Sequence, residues 1–180
     1  MPHAVTHVLI PIILLQLFRD YYIKKKDKRK FPLHYVLIGG VAGLLPDLDI
    51  AAFYVLSFFG YSLGEIHRTF SHTIFIPLFF VALAFVFYGF KSKKLGERHL
   101  KLRNIFLVIA FGSFIHLILD AIVAGVIAPF YPLSDFSFGF YLINIFPEAW
   151  RNSILPSLDA ALLVLWLVYL EWKHKISSFI

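Results

Sequence analysis

The stretch NIFLVIAFGSFIHLILDAIV at positions 104–123 decides the fold of this chain. It is apolar and long enough to cross a bilayer, since a membrane helix needs about 20 such residues. It nevertheless contains a histidine and an aspartate, His116 and Asp120. Ionisable groups are costly inside a membrane and usually functional there. The stretch therefore predicts a membrane-spanning helix that carries part of a polar site.

The composition of the whole chain is typical of an integral membrane protein. Its 180 residues are 59% hydrophobic, compared with about 45–50% in soluble domains, and its mean hydropathy is +0.77. We expect one domain, residues 1–180. The net charge of +6 follows from basic residues that flank apolar runs, so we expect no nucleic-acid partner. The absence of cysteine excludes disulfides and thiolate metal sites.

The basic residues predict how the helices cross the membrane. Fifteen of the seventeen Lys and Arg residues lie in clusters at 19–30, 91–103 and 173–175. Cytoplasmic ends of membrane helices carry such an excess of basic residues. All three clusters fall on one side if the chain has five spans, at 4–18, 31–45, 73–90, 104 to about 129, and 154–170. The N-terminus is then outside and the C-terminus inside.

The remaining apolar piece, residues 50–63, is too short to span and is predicted to be interfacial or re-entrant. The predicted fold class is therefore all-α, a polytopic membrane helix bundle in the plasma (inner) membrane. We expect the inner half of its spans to be uniformly apolar. The histidines near that inner side, His34, His99 and His174, are predicted to lie outside any site.

Counting residues from the nearest basic flank estimates the depth of each polar side chain, because a helix rises 1.5 Å per residue. His7 lies roughly 18 Å above the level of Arg19, and Asp120 roughly 25 Å above that of Arg103. The same count brings residues from separate segments to one layer in the outer half of the membrane. The residues predicted to surround a single pocket there are His7, Asp47, Asp49, His67, His72, His116 and Asp120.

The chemistry of this layer favours a divalent cation. His116 and Asp120 are four residues apart and share one helix face. Imidazole and carboxylate together suit Zn²⁺, with Mn²⁺ or Fe²⁺ as alternatives. The other interpretation is a buried polar network without metal. The predicted metal ligands are His7, Asp47, His72, His116 and Asp120, and the predicted catalytic residues are Asp49, His67 and Arg68.

Asp159 is a late carboxylate in an apolar helix. We expect it to point toward the same pocket, as a ligand or as a group that orients a histidine. The alternative is a local hydrogen bond to Ser157.

Several motifs resemble one known family. They are TH at 6–7, GLLPDLD at 43–49, HRTFSHT at 67–73, HLILDA at 116–121 and the loop PFYPLSDFSFGF at 129–140. In this order, and over nearly the whole chain, they resemble the LexA-binding, inner-membrane-associated metal-dependent hydrolases. Two positions depart from that pattern: Ile50, where the family often has His, and Thr69, where it usually has Gly.

The chain is more distantly similar to the zinc-dependent phospholipase C and single-strand nuclease group. That similarity implies that His7, Asp47, one histidine of HRTFSHT, His116 and Asp120 are ligands, with Asp120 bridging two metals. We therefore expect one or two divalent ions.

These observations predict a membrane-embedded metal-dependent hydrolase whose site faces the extracytoplasmic side. The expected substrate is a phosphoester of a phospholipid or lipid-linked phosphate, and Arg68 would clamp a phosphate oxygen. An alternative is a cation-coupled transporter that uses the same His/Asp cluster, although no internal repeat is visible. A third hypothesis is a regulator or adaptor that acts through the basic loops.

Overall fold

The helices of the computed structural model follow the apolar runs of the sequence. The structure describes residues 4–23, 30–62, 67, 70–97, 99–123 and 125–176. The α-helices in these ranges are α1 Ala4–Leu17, α2 Leu33–Ala42, α3 Leu48–Leu56, α4 Phe75–Val86, α5 Lys93–Glu97, α6 Leu102–Val123 and α7 Glu148–His174. A π-helical turn, Phe18–Tyr22, extends α1. Within the described ranges the only β-type pairing is one isolated bridge between Ile127 and Phe138, so the predicted all-α class is confirmed.

In the part of the chain that the structure describes, three helices are long and apolar enough to cross a membrane: Ala4–Tyr22, Leu102–Val123 and Glu148–His174. They correspond to the first, fourth and fifth predicted spans. The second and third spans contain shorter helices, because α2 has 10 residues and α4 has 12, or roughly 15 and 18 Å of helix. α2 ends just before the turns around Pro46, and α4 begins just after the 3₁₀ segment Phe70–His72. Both helices are thus interrupted next to the predicted polar layer.

The helix directions agree with the predicted alternation. On α1 and α2, Ile12 lies near Gly40 and Leu15 near Gly39, so these two helices are antiparallel. The glycine next to α2, Gly43, lies beside His7. The structure thus places the basic ends of these helices at one end of the bundle. The assignment of that end to the cytoplasm is a prediction from its charge.

Glycines let α1, α2 and α6 approach closely. A Cβ atom on Gly43 would collide with the carbonyl oxygen of His7, and one on Gly112 with the carbonyl oxygen of Gly39. Small residues are enriched where membrane helices pack backbone to backbone. On the basic side of these contacts lies the apolar core, whose buried members include Leu15, Tyr35 and Val108. The close packing fixes the height of α1 relative to α2 and α6.

The last helix, α7, lies at the edge of the bundle. Asp159 is its only buried residue. Thr6 on α1 donates a hydrogen bond to Asp159, and His174 contacts Asp20 at the other end of the same pair of helices. The two contacts join residues 153 and 154 positions apart, so α1 and α7 run parallel.

The piece predicted to be interfacial or re-entrant contains α3 and the 3₁₀ segment Ser57–Phe59. Neither element buries a residue in the bundle. Its aromatic side chains are largely exposed, with 88% of Phe58 accessible. A short element that exposes large apolar side chains is suited to the membrane interface.

Candidate metal centre

The predicted layer becomes a compact cluster because four elements meet at one point. α1 supplies His7, the turn after α2 supplies Asp47, the 3₁₀ segment supplies His72, and α6 supplies His116 and Asp120. The three histidines and Asp120 are completely buried, while the Asp47 side chain is 19% exposed. The cluster is therefore sealed on the Asp120 side and reachable on the Asp47 side.

The distances in this cluster are short. His72 Nε2 lies 3.4 Å from Asp47 Oδ1 and 3.5 Å from Asp120 Oδ2. His116 Nε2 lies 3.6 Å from Asp47 Oδ1 and 3.9 Å from Asp120 Oδ2. His7 Nε2 lies 3.4 Å from Asp120 Oδ1. Five potential ligand side chains therefore face one small volume.

The partners of the other ring nitrogens assign the tautomers of two histidines. His116 Nδ1 lies 2.7 Å from the carbonyl oxygen of Gly43, which can only accept, so Nδ1 carries the proton. His72 Nδ1 lies 3.4 Å from Asp49 Oδ2, which likewise favours a proton on that nitrogen. Both Nε2 atoms then present lone pairs, and they lie only 3.2 Å apart. At that distance either a proton on one Nε2 or a cation between the two atoms prevents the lone pairs from repelling each other.

His7 completes the cluster by stacking on His116, with ring centroids 3.9 Å apart and an interplanar angle of 23°. Neither ring nitrogen of His7 makes a hydrogen bond to any residue that the structure describes. The same holds for Asp47 Oδ1. Buried polar atoms are almost always hydrogen-bonded. Such atoms, aimed into a cluster of His and Asp, are what a metal ion would satisfy.

A second layer of contacts lies behind His72. Asp49 Oδ1 accepts a hydrogen bond from His67 Nδ1 at 2.9 Å, and Asp49 Oδ2 accepts one from the Ser71 hydroxyl. Ser71 Oγ also lies 3.0 Å from His72 Nδ1. Carboxylates in this position orient metal-binding histidines. Asp49 thus holds both histidines of the HRTFSHT motif.

Asp47 and His72 lie in connections outside the membrane-spanning segments, and their ionisation follows their surroundings. Burial disfavours charge on both. The close contacts with the imidazoles of His72, His116 and His7 nevertheless lower the pKa of the Asp47 carboxyl. Against the same burial penalty, contacts with Asp47 and Asp49 raise the pKa of His72. The cluster therefore stabilises positive charge at its centre.

The structure brings together all seven residues predicted to surround the pocket. Three overlapping sets place their ligand atoms within 4.8 Å of one another: His7, Asp47 and His116; Asp47, His67 and His72; and His72, His116 and Asp120. These sets could hold one or two ions. The predicted phosphate clamp, Arg68, lies outside the described residues.

Asp159 takes neither of the two positions considered from the sequence. Its carboxylate accepts a hydrogen bond from the hydroxyl of Thr6. Thr6 directly precedes His7 in the chain. Asp159 is not in any of the sets of potential ligands among the described residues. It therefore contacts the helix that carries His7 and not the imidazole itself.

A polar cluster near the basic end was missed. The prediction that the inner half is uniformly apolar was wrong. His174, predicted to lie outside any site, contacts the buried Asp20. Asp20 is buried, and its Oδ2 accepts hydrogen bonds from Gln16 at 2.8 Å, Tyr169 at 2.9 Å and His174 at 2.7 Å. A sequence signal existed, because Thr6 and Asp20 are fourteen residues apart, close to four helical turns, and so share the α1 face toward α7.

The motifs that build this cluster are spread over nearly the whole chain. A known protein family matches the chain over a similar range. The model of the YdjM inner membrane protein family matches residues 1–176. The chain belongs to this family. It is therefore an inner-membrane protein, and its three long apolar helices agree with a multi-pass arrangement. No curated protein and no solved structure matches the chain.

Proposed function

We propose that the protein is a membrane-embedded metal-dependent hydrolase that cleaves a phosphoester of a phospholipid or lipid-linked phosphate. The observation that carries the proposal is the pair of Nε2 atoms of His72 and His116, 3.2 Å apart and both facing the carboxylates of Asp47 and Asp120. A cation satisfies this arrangement, and the donor set suits Zn²⁺ first, then Mn²⁺ or Fe²⁺.

The residues that would hold one or two ions are His7, Asp47, His72, His116 and Asp120. Their side chains are fixed by helix packing and by hydrogen bonds to Gly43 and Asp49. A divalent ion bound there would lower the pKa of a bound water to about 7 and so supply a nucleophile at neutral pH.

His67 is placed to move a proton. Its Nδ1 donates to Asp49 at 2.9 Å, so its Nε2 carries the lone pair, and Nε2 has no hydrogen-bond partner among the described residues. In the proposed reaction, His67 accepts a proton from the attacking water and returns it to the leaving oxygen when the P–O bond breaks. Asp49 fixes the tautomer and stabilises the charged imidazole.

The position of the cluster supports a lipid substrate. Its reachable side is formed by Asp47 and His67, in the connections next to the interrupted helices α2 and α4. By the charge of the basic loops, this end of the bundle faces away from the cytoplasm. The phosphate of an outer-leaflet lipid would approach at this depth, and Arg68, the neighbour of His67 in the chain, would bind its oxygens.

The hydrolase proposal is tested with purified wild-type protein loaded with Zn²⁺ or Mn²⁺ and a panel of phospholipids and lipid-linked phosphates. We expect turnover of at least one substrate. Arg68→Lys keeps the charge but loses the planar fork, so metal should stay bound while turnover falls. Absence of turnover on the whole panel, in protein that does bind metal, contradicts the proposal.

One observation favours a second candidate function, a cation-coupled transporter. The Asp20 cluster is a second group of polar side chains within the bundle. It lies thirteen residues, or roughly 20 Å, along α1 from His7 and could be a second cation site on a transport path. Transport predicts cation flux in proteoliposomes that is lost in both Asp120→Asn and Asp20→Asn. A hydrolase predicts no flux and loss of turnover in Asp120→Asn.

A further inference from the structure

A cavity lies at the end of the bundle opposite the metal centre. It measures about 960 Å³ and is formed by the end of α4, the short helix α5 and the start of α6. Arg103 in its wall is seventeen residues from Asp120, or roughly 25 Å along α6. The cavity is therefore separate from the His/Asp cluster.

Basic side chains line this cavity. Lys30, Lys91, Lys101 and Arg103 contribute to its wall, together with His99, and no Asp or Glu does so within the part of the chain that the structure describes. Four positive side chains around one partly open space favour a negative partner. Phosphate groups meet that requirement, and basic pockets between membrane helices on the cytoplasmic side bind anionic headgroups.

The cavity wall is held in place by contacts to the core. Tyr35 of α2 is completely buried, and its hydroxyl accepts a hydrogen bond of 2.6 Å from the backbone N–H of Lys101. Arg103 lies over the ring of Tyr88, 4.8 Å from its centroid, and donates to Asn104 at 3.2 Å. The side chain of Lys101 is left exposed, so its charge is available to a ligand.

An apolar cavity adjoins the basic one. It measures about 280 Å³, shares Lys30 and Asn104 with the larger cavity, and is otherwise lined mainly by apolar side chains such as Phe18, Phe31 and Leu107. A charged space continuous with an apolar one matches an amphiphile with a negative headgroup. A soluble phosphate compound would use only the first space.

We propose that these joined cavities bind an anionic phospholipid of the leaflet on the basic side, with its headgroup among Lys30, Lys91, Lys101 and Arg103 and part of an acyl chain against Phe18, Phe31 and Leu107. The excess of basic residues alone explains orientation. The proposal adds a defined site, because only some of the cations of that side line the cavity. Lys93 and Lys173 do not.

That difference provides a matched control. Lys91→Gln/Lys101→Gln removes two charges from the cavity, and Lys93→Gln/Lys173→Gln removes two from the same side outside it. Lys173 also lies over the ring of Tyr21, 4.9 Å from its centroid, so the control variant loses this contact as well as a charge. Binding of fluorescent short-chain phosphatidylglycerol to the full-length protein in a neutral detergent is compared with binding of the phosphatidylcholine analogue.

We expect the wild type to prefer phosphatidylglycerol. The cavity variant should bind it about thirtyfold more weakly, since one basic side chain near an anionic lipid contributes about fivefold, and the control variant should keep wild-type affinity. Equal binding of both lipids, or an equal loss in the two variants, overturns the site. Full competition by glycerol 3-phosphate would indicate a soluble phosphate ligand, and full competition by an acidic peptide a protein partner. Either result also overturns the lipid proposal.

Discussion

The polar clusters at the two ends of α1 each contain a fully buried aspartate, but the two carboxylates have different partners. In the inner cluster, one oxygen of Asp20 accepts hydrogen bonds from Gln16, Tyr169 and His174. In the outer cluster, the Nε2 atoms of His72 and His116 face each other at 3.2 Å, and each can act as a hydrogen-bond acceptor. Burial alone therefore does not identify a site. In the inner cluster, hydrogen-bond donors meet Asp20 Oδ2, and the guanidinium of Arg19 lies 3.6 Å from Oδ1. The outer cluster instead presents several potential ligand atoms that a cation would join.

The largest expected effect is on Zn²⁺ affinity, and the same Asp→Asn substitution in each cluster should affect it differently. Asp120→Asn removes a negative charge from the outer cluster, so we expect its affinity for Zn²⁺ to fall by more than about 100-fold, beyond the usual effect of losing a group that only orients a ligand. Asp20→Asn makes the same change in the inner cluster and should leave the affinity unaltered. A competition titration with a chromophoric chelator measures both.

Similar losses of affinity in the two variants would contradict the comparison, because both clusters would then respond to general destabilisation. Asp20→Asn should instead lower the free energy of unfolding by roughly 1–3 kcal/mol, the usual effect of weakening a buried hydrogen-bonded group. The midpoint of unfolding by SDS in mixed micelles reports that change.

Gly43→Ala tests whether backbone packing positions the outer cluster. The new methyl group would collide with the carbonyl oxygen of His7, and overpacking of this kind typically costs about 1–3 kcal/mol. Because His7 would move, Zn²⁺ affinity should fall as well. Gly89→Ala is the control, since a Cβ there meets nothing within 4 Å. Wild-type affinity in Gly43→Ala would show that α1 can shift without disturbing the site.

Thr6→Val tests the contact between α7 and the helix of His7. It removes the hydroxyl that donates to Asp159 while nearly keeping the side-chain shape. We expect a loss of roughly 1–2 kcal/mol in unfolding free energy, because a buried carboxylate loses a donor. Thr6→Ser, which keeps the hydroxyl, should stay closer to the wild type. If Thr6→Val keeps wild-type stability while Thr6→Ser loses it, the methyl group and not the hydrogen bond holds α7.

Tyr169→Phe should have the smallest effect. Asp20 keeps Gln16 and His174 as donors when Tyr169 loses its hydroxyl, so about 1 kcal/mol or less is expected, as for single hydrogen bonds between membrane helices. SDS unfolding again measures the change, and metal affinity should be unaffected. A large loss of metal affinity would mean that the two clusters are coupled through α1.

The outer cluster could be predicted from the sequence because depth along a helix depends only on residue number. Counting from Arg19 and Arg103 placed His7 and Asp120 in one layer, and their atoms lie 3.4 Å apart in the structure. The i,i+4 spacing likewise predicted that His116 and Asp120 share a face. Neither rule needs knowledge of which helices are neighbours, since all spans cross the same membrane.

A single sequence does not show which helices pack against each other. The contact of Asp159 with Thr6, and that of Asp20 with Tyr169 and His174, depend on α7 packing parallel to α1. Asp20 also stands next to Arg19 in the sequence, where a surface ion pair is the ordinary expectation. The shorter helices α2 and α4 were predicted as full spans because the apolar runs continue beyond the points where the turns of the site begin.

The metal content of the purified protein shows whether the outer cluster binds divalent ions. Wild-type protein and the double variant His72→Ala/His116→Ala are loaded with Zn²⁺, Mn²⁺ or Fe²⁺, freed of loosely bound ions and analysed by mass spectrometry of the elements. We expect about one or two divalent ions per chain in the wild type, retained in Asp20→Asn and lost in the double variant. A wild type that keeps none of these ions, or a double variant that keeps as many as the wild type, would contradict this expectation.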